Sequence, residues 1–215
     1  MKKSVYSLVL MDSLINEVDR LAYANGTSRS NMVNRILADY LSLTTPEMRI
    51  QDIFSSMEGL IAACRDLQTT VNPSERAFSI KSMLSYKYNP TVRYNLVLYP
   101  TVSDTFGELR VVFRTQNVNL LNMVTSFFIL WVKLEEAYNP DNMPAYKIED
   151  GKLTRRLSTI EGATHENLGA ATVSYVELFD KALKTYFEYR ADPIIAANRV
   201  ELLYRNYLKT NPRRV

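Results

Sequence analysis

Side chains suited to catalysis or metal binding are scarce in this sequence. Its 215 residues include a single cysteine, Cys64, and a single histidine, His165. A zinc site needs more sulfur and imidazole ligands than these two residues supply, and no glycine-rich phosphate loop is present. Because no nucleophile can be placed beside His165, we interpret it as a solvated loop residue. The sequence therefore predicts a protein that is not an enzyme, with no catalytic residue, no metal and no cofactor.

The remaining candidates for chemistry have structural interpretations. Cys64 falls on the apolar face of a predicted helix, which favours a buried and inert thiol. The pairs Glu135-Glu136 and Glu149-Asp150 are interpreted as a solvated helix end and a turn, rather than as paired catalytic acids. Four tyrosines could stack on single-stranded nucleic acid, but a half-buried sheet face explains them better. These tyrosines are Tyr86, Tyr88, Tyr94 and Tyr99.

Composition and charge indicate a folded protein of one or two domains. Lys and Arg number 26 and Asp and Glu number 23, and the net charge of +3 does not by itself indicate a nucleic-acid partner. An apolar content of 47% and a charged content of 23% exclude a disordered chain. The stretch 205–215 is basic and lacks acidic residues, so it could contact a DNA backbone or be a solvated terminus.

The sequence favours a cytoplasmic protein without a membrane span. No residue in the stretch 115–132 is charged, but six polar residues dilute it, so a buried central helix is favoured over a span. The lone cysteine is typical of a reducing compartment. Met1-Lys2-Lys3 is not followed by a cleavage site, which argues against secretion.

Residues 1–43 show the pattern of a strand followed by two helices. Alternation over residues 3–10 places Tyr6, Leu8 and Leu10 on one strand face and Val5, Ser7 and Val9 on the other. Asp12 is predicted to cap the first helix, Asn25-Gly26 to end it, and Ser28 to cap the second. The second helix carries apolar residues on one face, which we expect to be buried. They are Met32, Val33, Ile36, Leu37, Tyr40 and Leu41.

Residues 46–215 are predicted to form an α+β domain that is mostly helical and has a small antiparallel sheet. The predicted helices are 46–67, 118–137, 168–190 and 193–209, and the helix 118–137 is expected to cover the sheet. The predicted strands are 92–99 and 109–115, with 83–88 as an ambiguous third. The region 139–167 is predicted to be irregular apart from a tight hairpin, in which Asp150-Gly151 joins residues 146–149 to residues 152–155.

A strand and two helices cannot close a core by themselves, so residues 1–43 are expected to form an intertwined homodimer. This segment resembles the ribbon-helix-helix family of DNA-binding proteins, the Arc, MetJ and CopG type, over residues 3–41 and not beyond. The motifs that carry the resemblance are the alternating segment Val5–Leu10, the helix residues Leu14 and Leu21, the turn Asn25–Ser30, and the helix segment Ile36–Leu41.

The resemblance implies that two strands, one from each subunit, form a ribbon that reads the major groove of double-stranded DNA. The outer ribbon face would then present Lys3, Val5, Ser7 and Val9 to the bases. Phosphates would be held by the start of the second helix and by basic residues nearby. The implied phosphate contacts are Lys2, Ser28, Arg29 and Ser30.

Two features depart from the family pattern. Family ribbons commonly present Arg, Lys, Asn or Gln to the bases, whereas this one offers Val5 and Val9. Residues 1–43 carry five basic and four acidic residues, a net charge of +1. Since DNA affinity depends largely on phosphate neutralisation, we expect weak, salt-sensitive binding per dimer, strengthened by assembly of several dimers, with the acidic residues facing away from the DNA.

Three functions remain open at this level. The first is a sequence-specific transcriptional repressor in the cytoplasm, bound to the nucleoid or to plasmid or phage DNA. The second is a plasmid or phage segregation adaptor or a relaxosome accessory protein, which would bind DNA repeats and recruit a protein partner through residues 46–215. The third is a structural or interaction protein that uses the ribbon only to dimerise. Residues 46–215 are expected to serve oligomerisation, a ligand or a partner, and they resemble no family.

Overall fold

The computed structural model describes residues 4–70, 77–101, 103–140, 144–211 and 215. This part of the chain has an α+β fold with six helices and one six-stranded antiparallel sheet. The helices are α1 Asp12–Ala24, α2 Arg29–Tyr40, α3 Pro46–Ala62, α4 Val118–Tyr138, α5 His165–Glu188 and α6 Pro193–Thr210. The strands are β1 Gln68–Thr70, β2 Ala77–Met83, β3 Thr91–Leu98, β4 Thr105–Phe113, β5 Tyr146–Glu149 and β6 Lys152–Ser158.

The strand order in the sheet is β1-β2-β3-β4-β6-β5, with every neighbouring pair antiparallel. Alternate side chains of each strand point to opposite faces, and one face is buried across the four inner strands β2, β3, β4 and β6. In β3 the buried residues are Val92, Tyr94, Leu96 and Leu98. The sheet therefore has one face in the core and one open face.

Helices α4 and α5 cover the buried face with aromatic side chains. Phe127 and Trp131 of α4 lie 5.3 and 4.9 Å, ring centroid to ring centroid, from Phe179 of α5. Phe179 in turn lies 6.1 Å from Tyr94 of β3 at a near-perpendicular angle. Such edge-to-face arrangements are favoured by the ring quadrupole. The prediction that the apolar helix covers the sheet is confirmed.

Helix α3 packs closely against α5 at Gly169. A Cβ atom on Gly169 would lie 2.6 Å from Ser56 Oγ and 3.1 Å from the carbonyl oxygen of Ile53. A larger residue would require Ser56 and the backbone at Ile53 to shift, so glycine favours this close approach of the two helices. The start of α3 is also tied to the sheet, because Arg49 Nη2 donates to the carbonyl oxygen of Tyr99, 2.6 Å away.

Several predicted boundaries of the second domain are wrong. The helix predicted to reach residue 67 ends at Ala62, because the chain turns to form β1 at Gln68. The ambiguous segment 83–88 is mostly a turn, and the strand there is β2, Ala77–Met83. The sheet is larger than predicted, since the region 139–167 contributes β5 and β6. The hairpin at Asp150-Gly151 is confirmed, with φ +65° at Gly151.

In the N-terminal unit, defined here as residues 1–43, α1 and α2 pack mainly on each other. The predicted role of Asp12 is wrong, because Met11 occupies the N-cap position and Asp12 is the first helical residue. The predicted end of α1 is confirmed, with Asn25 as C-cap and φ +61° at Gly26. Ser28 caps α2 as predicted.

Helix α4 is the one described helix whose length and composition would allow it to cross a membrane, with a mean hydropathy of 1.3. Core helices pass the same test, and Phe127, Phe128 and Trp131 of α4 are fully buried against the sheet and α5. This placement agrees with the predicted buried central helix.

Candidate nucleic-acid interface

Residues 4–11 form no strand within the single chain and pack against no other strand among the described residues. All eight are exposed to solvent, although five of them are Val, Leu or Tyr. A segment with β-branched and aromatic alternation but no strand partner leaves its backbone N–H and C=O groups available for pairing. The predicted ribbon therefore has its sequence pattern but lacks a partner in one chain.

The two predicted faces of this segment differ in exposure. Val5 and Val9 are completely exposed, whereas Tyr6 is 83%, Leu8 is 64% and Leu10 is 40% exposed. The even-numbered side chains are thus the less exposed set, although all of them are open to solvent. Lys2 and Lys3 lie outside the described residues.

The apolar faces of α1 and α2 are only partly covered. Met32, Ala38 and Ala22 are buried, as part of the contact between the two helices. In the single chain α2 leaves part of its apolar face open, since Ile36 is 39% and Leu37 is 48% exposed. Burial of the whole face in a dimer stays a prediction. No described element of residues 46–211 packs on these helices to an extent comparable with their own contact.

At the start of α2, backbone N–H groups are available as hydrogen-bond donors. Ser28 Oγ accepts a hydrogen bond from the backbone N–H of Asn31, 3.3 Å away, and its carbonyl oxygen accepts from Met32 N. The N–H groups of Arg29 and Ser30 have no hydrogen-bond partner among the described residues. Free N–H groups at a helix start favour an anion such as a phosphate.

Arg29 does not point freely into solvent. Its Nε and Nη2 atoms lie 2.6 and 2.5 Å from the two carboxylate oxygens of Asp19 on α1. Hydrogen bonding to Arg29 lowers the pKa of Asp19 below its usual value. The expectation that the acidic residues lie away from the predicted phosphate contacts is therefore wrong for Asp19. A phosphate bound at Arg29 would share the guanidinium with this carboxylate or displace it.

The candidate chemical residues of the second domain serve the fold. His165 does not lie in a loop but begins α5, with Nδ1 3.5 Å from a carboxylate oxygen of Asp52 on α3. Glu135 is not at a solvated helix end. It is 2% exposed, and its carboxylate pairs with Arg155 Nε at 2.9 Å. The pair Glu149-Asp150 lies at the hairpin, where Glu149 pairs with Lys147 and Lys152.

The four tyrosines do not form one surface. Tyr94 is fully buried on the helix-covered face, and its hydroxyl donates to a carboxylate oxygen of Asp180, 2.8 Å away. Tyr88 is exposed in the turn between β2 and β3, Tyr86 packs edge-on against Phe187, and Tyr99 donates to Glu108. The structure thus separates the residues that a stacking platform would need together.

The basic tail is only partly described. Lys209 lies in the last turn of α6, and Arg213 and Arg214 lie outside the described residues. Val215 is buried, and its carbonyl oxygen accepts a hydrogen bond from Arg155 Nη2 at 2.7 Å. The interpretation as a solvated terminus is therefore wrong at Val215.

Cys64 lies just beyond α3 and is half-buried. Its Sγ atom is 2.8 Å from Oε1 of Glu177 on α5. Burial and this neighbouring carboxylate raise the pKa of the thiol to about 12. A thiol with this pKa is almost entirely protonated at neutral pH and is a poor nucleophile. This agrees with the predicted inert thiol.

Alkylation of Cys64 tests this environment. We expect iodoacetamide to label the native protein at pH 8 about a thousandfold more slowly than the unfolded protein, because a thiol pKa of about 12 instead of 9.0 reduces the thiolate fraction by that factor. Glu177→Gln should accelerate labelling of the native protein, whereas Glu188→Gln on the exposed side of the same helix should not. Intact-mass spectrometry measures the rates, and equal rates for native and unfolded protein would contradict the assignment.

Compared with models of protein families, with curated proteins and with solved structures, the chain matches none of them.

The sequence pattern did not identify Asp19 as a residue of the interface. Asp19 and Arg29 are 10 residues apart and lie on different helices, so no local spacing connects them. The sequence pattern also did not single out the basic residues on the open face of the sheet. The signal for these was available, because the alternation that predicts β3 also places Arg93 and Asn95 opposite the apolar face.

Proposed function

We propose that this protein is a homodimer that binds double-stranded DNA in a sequence-specific manner, through a ribbon built from residues 3–10 of two copies. The observation that supports the proposal is the unpartnered apolar surface of the N-terminal unit. Soluble proteins rarely leave so many contiguous apolar side chains exposed unless the surface is an interface. The exposed residues are Leu8, Leu10, Leu14, Ile36, Leu37 and Leu41.

A second copy of the same unit fits this surface best. An antiparallel strand pair satisfies the backbone groups of both segments and brings the even-numbered side chains of both copies onto the exposed faces of the helices. The contact is isologous, so it closes after two copies. The odd-numbered side chains then form one continuous outer face, with Val5, Ser7 and Val9 from each subunit.

The outer face fits a major groove in size and chemistry. A two-stranded ribbon enters the major groove, where Ser7 can hydrogen-bond to base edges and the valines can contact thymine methyl groups. The starts of the two α2 helices lie beside the ribbon in this arrangement, and their free N–H groups and Arg29 would hold phosphates on either side. Repression by occupying an operator requires only this binding, and it is the function we propose.

Selection of bound duplexes from a randomised library, followed by a gel shift, tests the proposal. Ser7→Ala is expected to flatten the sequence preference at the contacted bases. Arg29→Ala should weaken binding to all sequences and reduce the slope of log Kd against log salt by about 2, for two lost phosphate contacts per dimer. Asp19→Asn should strengthen binding, because it releases Arg29 from its carboxylate.

Arg20 provides the matched control. It is an exposed arginine on α1, paired with Glu17 at 2.5 Å in the way that Arg29 pairs with Asp19. Arg20→Ala removes the same charge from the same unit but should leave binding unchanged. A wild-type dimer that retains no duplex at 50 mM salt would overturn the proposal in favour of a ribbon that only dimerises.

A further inference from the structure

The open face of the sheet carries a basic surface that the N-terminal unit does not explain. We define the open face by the exposed or half-buried side chains of β2, β3, β4, β6 and β5 that point away from the helices. Its basic residues are Lys81, Arg93, Arg110, Lys147, Lys152 and Arg156, and its acidic residues are Glu108 and Glu149. Six positive and two negative charges give this face a net charge of +4, more than the +3 of the entire chain.

Both acidic residues of the open face are already engaged. Glu108 pairs with Arg110 and accepts a hydrogen bond from Tyr99. Glu149 pairs with Lys147 at 2.8 Å and with Lys152 at 3.0 Å. These contacts leave three basic residues of the face without an ion pair among the described residues. They are Lys81, Arg93 and Arg156.

The register of the sheet places two of these charges directly side by side. Lys81 of β2 is the cross-strand partner of Arg93 of β3. Like charges at directly opposed positions repel and weaken strand pairing. Their other cross-strand neighbours are Gln68 and Val112, neither of which is acidic. This repulsion, which opposes folding, would be relieved by an anion bound over the pair.

The spacing of the charges suits a line of phosphates. The row of cross-strand partners that contains Lys81 and Arg93 continues through Val112 of β4 to Lys152 of β6. Lys81 and Lys152 are three strand spacings apart, about 14 Å. The next row presents hydrogen-bonding groups, namely Ser79, Asn95, Arg110, Thr154 and Lys147. Duplex DNA offers one negative charge per about 1.7 Å of its axis, so a backbone running across the sheet can meet both rows.

We propose that the open face of the sheet binds the phosphate backbone of duplex DNA, as a second contact that does not read sequence. A second copy of the chain is disfavoured on this face, because each copy would bring the same excess of positive charge. Single strands are disfavoured because the face lacks stacking aromatics: its outward side chain Tyr99 is bonded to Glu108, and Val97 and Val112 occupy other outward positions.

The N-terminal unit is connected to the sheet through α3. α3 begins directly after that unit, and Arg49 in its first turn is bonded to the carbonyl oxygens of Tyr99 and Pro100, just beyond the end of β3. The choice of duplex DNA rests on the proposed function, and the charge of the face is an independent observation.

The test compares two triple variants of the full-length protein. The sheet variant is Lys81→Gln/Arg93→Gln/Arg156→Gln. The helix-side control, Lys133→Gln/Lys181→Gln/Arg199→Gln, removes the same charge from exposed positions on α4, α5 and α6. Fluorescence anisotropy measures binding to a mixed-sequence 40-bp duplex over a range of KCl concentrations. In the sheet variant we expect the slope of log Kd against log salt to decrease by up to about 2.7 per protomer, which is about 0.9 for each of the three lost phosphate contacts. The control should keep the wild-type slope.

Folding does not confound this comparison. Removal of the Lys81–Arg93 repulsion should leave the melting temperature of the sheet variant equal to or above that of the wild type. The single variant Arg93→Gln, followed by circular dichroism, provides a second and milder measurement. It should retain the wild-type spectrum and lose about 0.9 from the slope.

The ribbon variant Ser7→Ala/Arg29→Ala, measured in parallel, separates this inference from the proposed function. If the ribbon variant binds the duplex more weakly than the wild type and the sheet variant does not, the inference is overturned and the proposed function is left intact. If only the sheet variant binds the duplex more weakly, the inference is supported and DNA binding by the ribbon is contradicted. Two further results would overturn the inference. One is that polyglutamate displaces the labelled duplex as effectively as unlabelled duplex does at equal negative charge. The other is that a 40-nucleotide oligo-dT binds at least as tightly as the duplex.

Discussion

Leu37→Asp is expected to convert the protein from a dimer into a monomer and to abolish DNA binding. Leu37 lies on the half-exposed apolar face of α2, which the proposed dimer covers. A symmetric dimer loses the burial of two leucine side chains that are already half covered, each contributing about 1 kcal/mol, roughly half the value of full burial. This loss alone should raise the dimer dissociation constant about thirtyfold. The two carboxylates placed in the interface should raise it further.

Analytical ultracentrifugation measures the change directly. The wild type should sediment as a species of twice 24.7 kDa and the variant as one of 24.7 kDa. Leu202→Asp is the matched control, because Leu202 is a helical leucine of the second domain that is 49% exposed, against 48% for Leu37. It should leave the mass unchanged. A wild type that stays monomeric at 100 µM, or a Leu37→Asp variant that stays dimeric, would contradict the proposed interface.

Glu135→Leu is expected to lower the free energy of unfolding of the second domain by about 3–5 kcal/mol. The variant leaves the guanidinium of Arg155, which is 4% exposed, without its carboxylate partner. That guanidinium also donates to a main-chain oxygen of Val215 and stacks on Tyr175, 4.2 Å from the ring centroid. The variant keeps these contacts but loses the buried ion pair with the side chain of Glu135.

Urea unfolding of the full-length protein measures the change. The double variant Glu135→Leu/Arg155→Met should be more stable than Glu135→Leu alone, because it no longer buries an unpaired charge. Lys147→Met is the control, since it breaks an ion pair in which the lysine is 70% exposed. It should cost at most about 1 kcal/mol. If Lys147→Met and Glu135→Leu lower the free energy of unfolding equally, burial of the Glu135–Arg155 pair does not affect stability in the way expected here.

The alternation of apolar residues predicted most of the elements that the structure shows. β3 lies within one residue of the predicted bounds and β4 starts four residues before them, at Thr105 and not at Leu109. α4 to α6 start or end within a few residues of the predicted bounds. The caps at Ser28 and the turn at Gly151 also follow from local chemistry. Each of these signals acts within a few residues along the chain, and the sequence displays it directly.

The errors have a common physical cause. Glu135 is predicted to lie at a solvated helix end, but its partner Arg155 lies 20 residues further on in another element. Cys64 is predicted on a helix face, but the helix ends before it, at Ala62. The hairpin of β5 and β6 is predicted from its turn, but its attachment to β4 is not, because that pairing joins segments far apart in the chain. Pairing between strands, and not local propensity, stabilises such contacts.

The net charge of +3 takes on a different meaning once the sheet is known. Averaged over the chain, it gives no reason to expect a nucleic-acid partner. The register of β2 to β6 instead concentrates an excess of +4 on one face and places Lys81 beside Arg93. In the N-terminal unit the opposite happens, since Asp19 neutralises Arg29 at the predicted phosphate contact.

By itself, the sequence predicted the six helices, most strands of the central sheet and the scarcity of catalytic side chains. Only the tertiary structure decided which charges meet: Arg29 with Asp19, Arg155 with Glu135, and Lys81 with Arg93. The physical reason is the distance along the chain over which each kind of interaction acts. Periodicity and capping depend on neighbours a few residues away, whereas strand register and helix packing bring together residues that the chain separates by 10 or more positions.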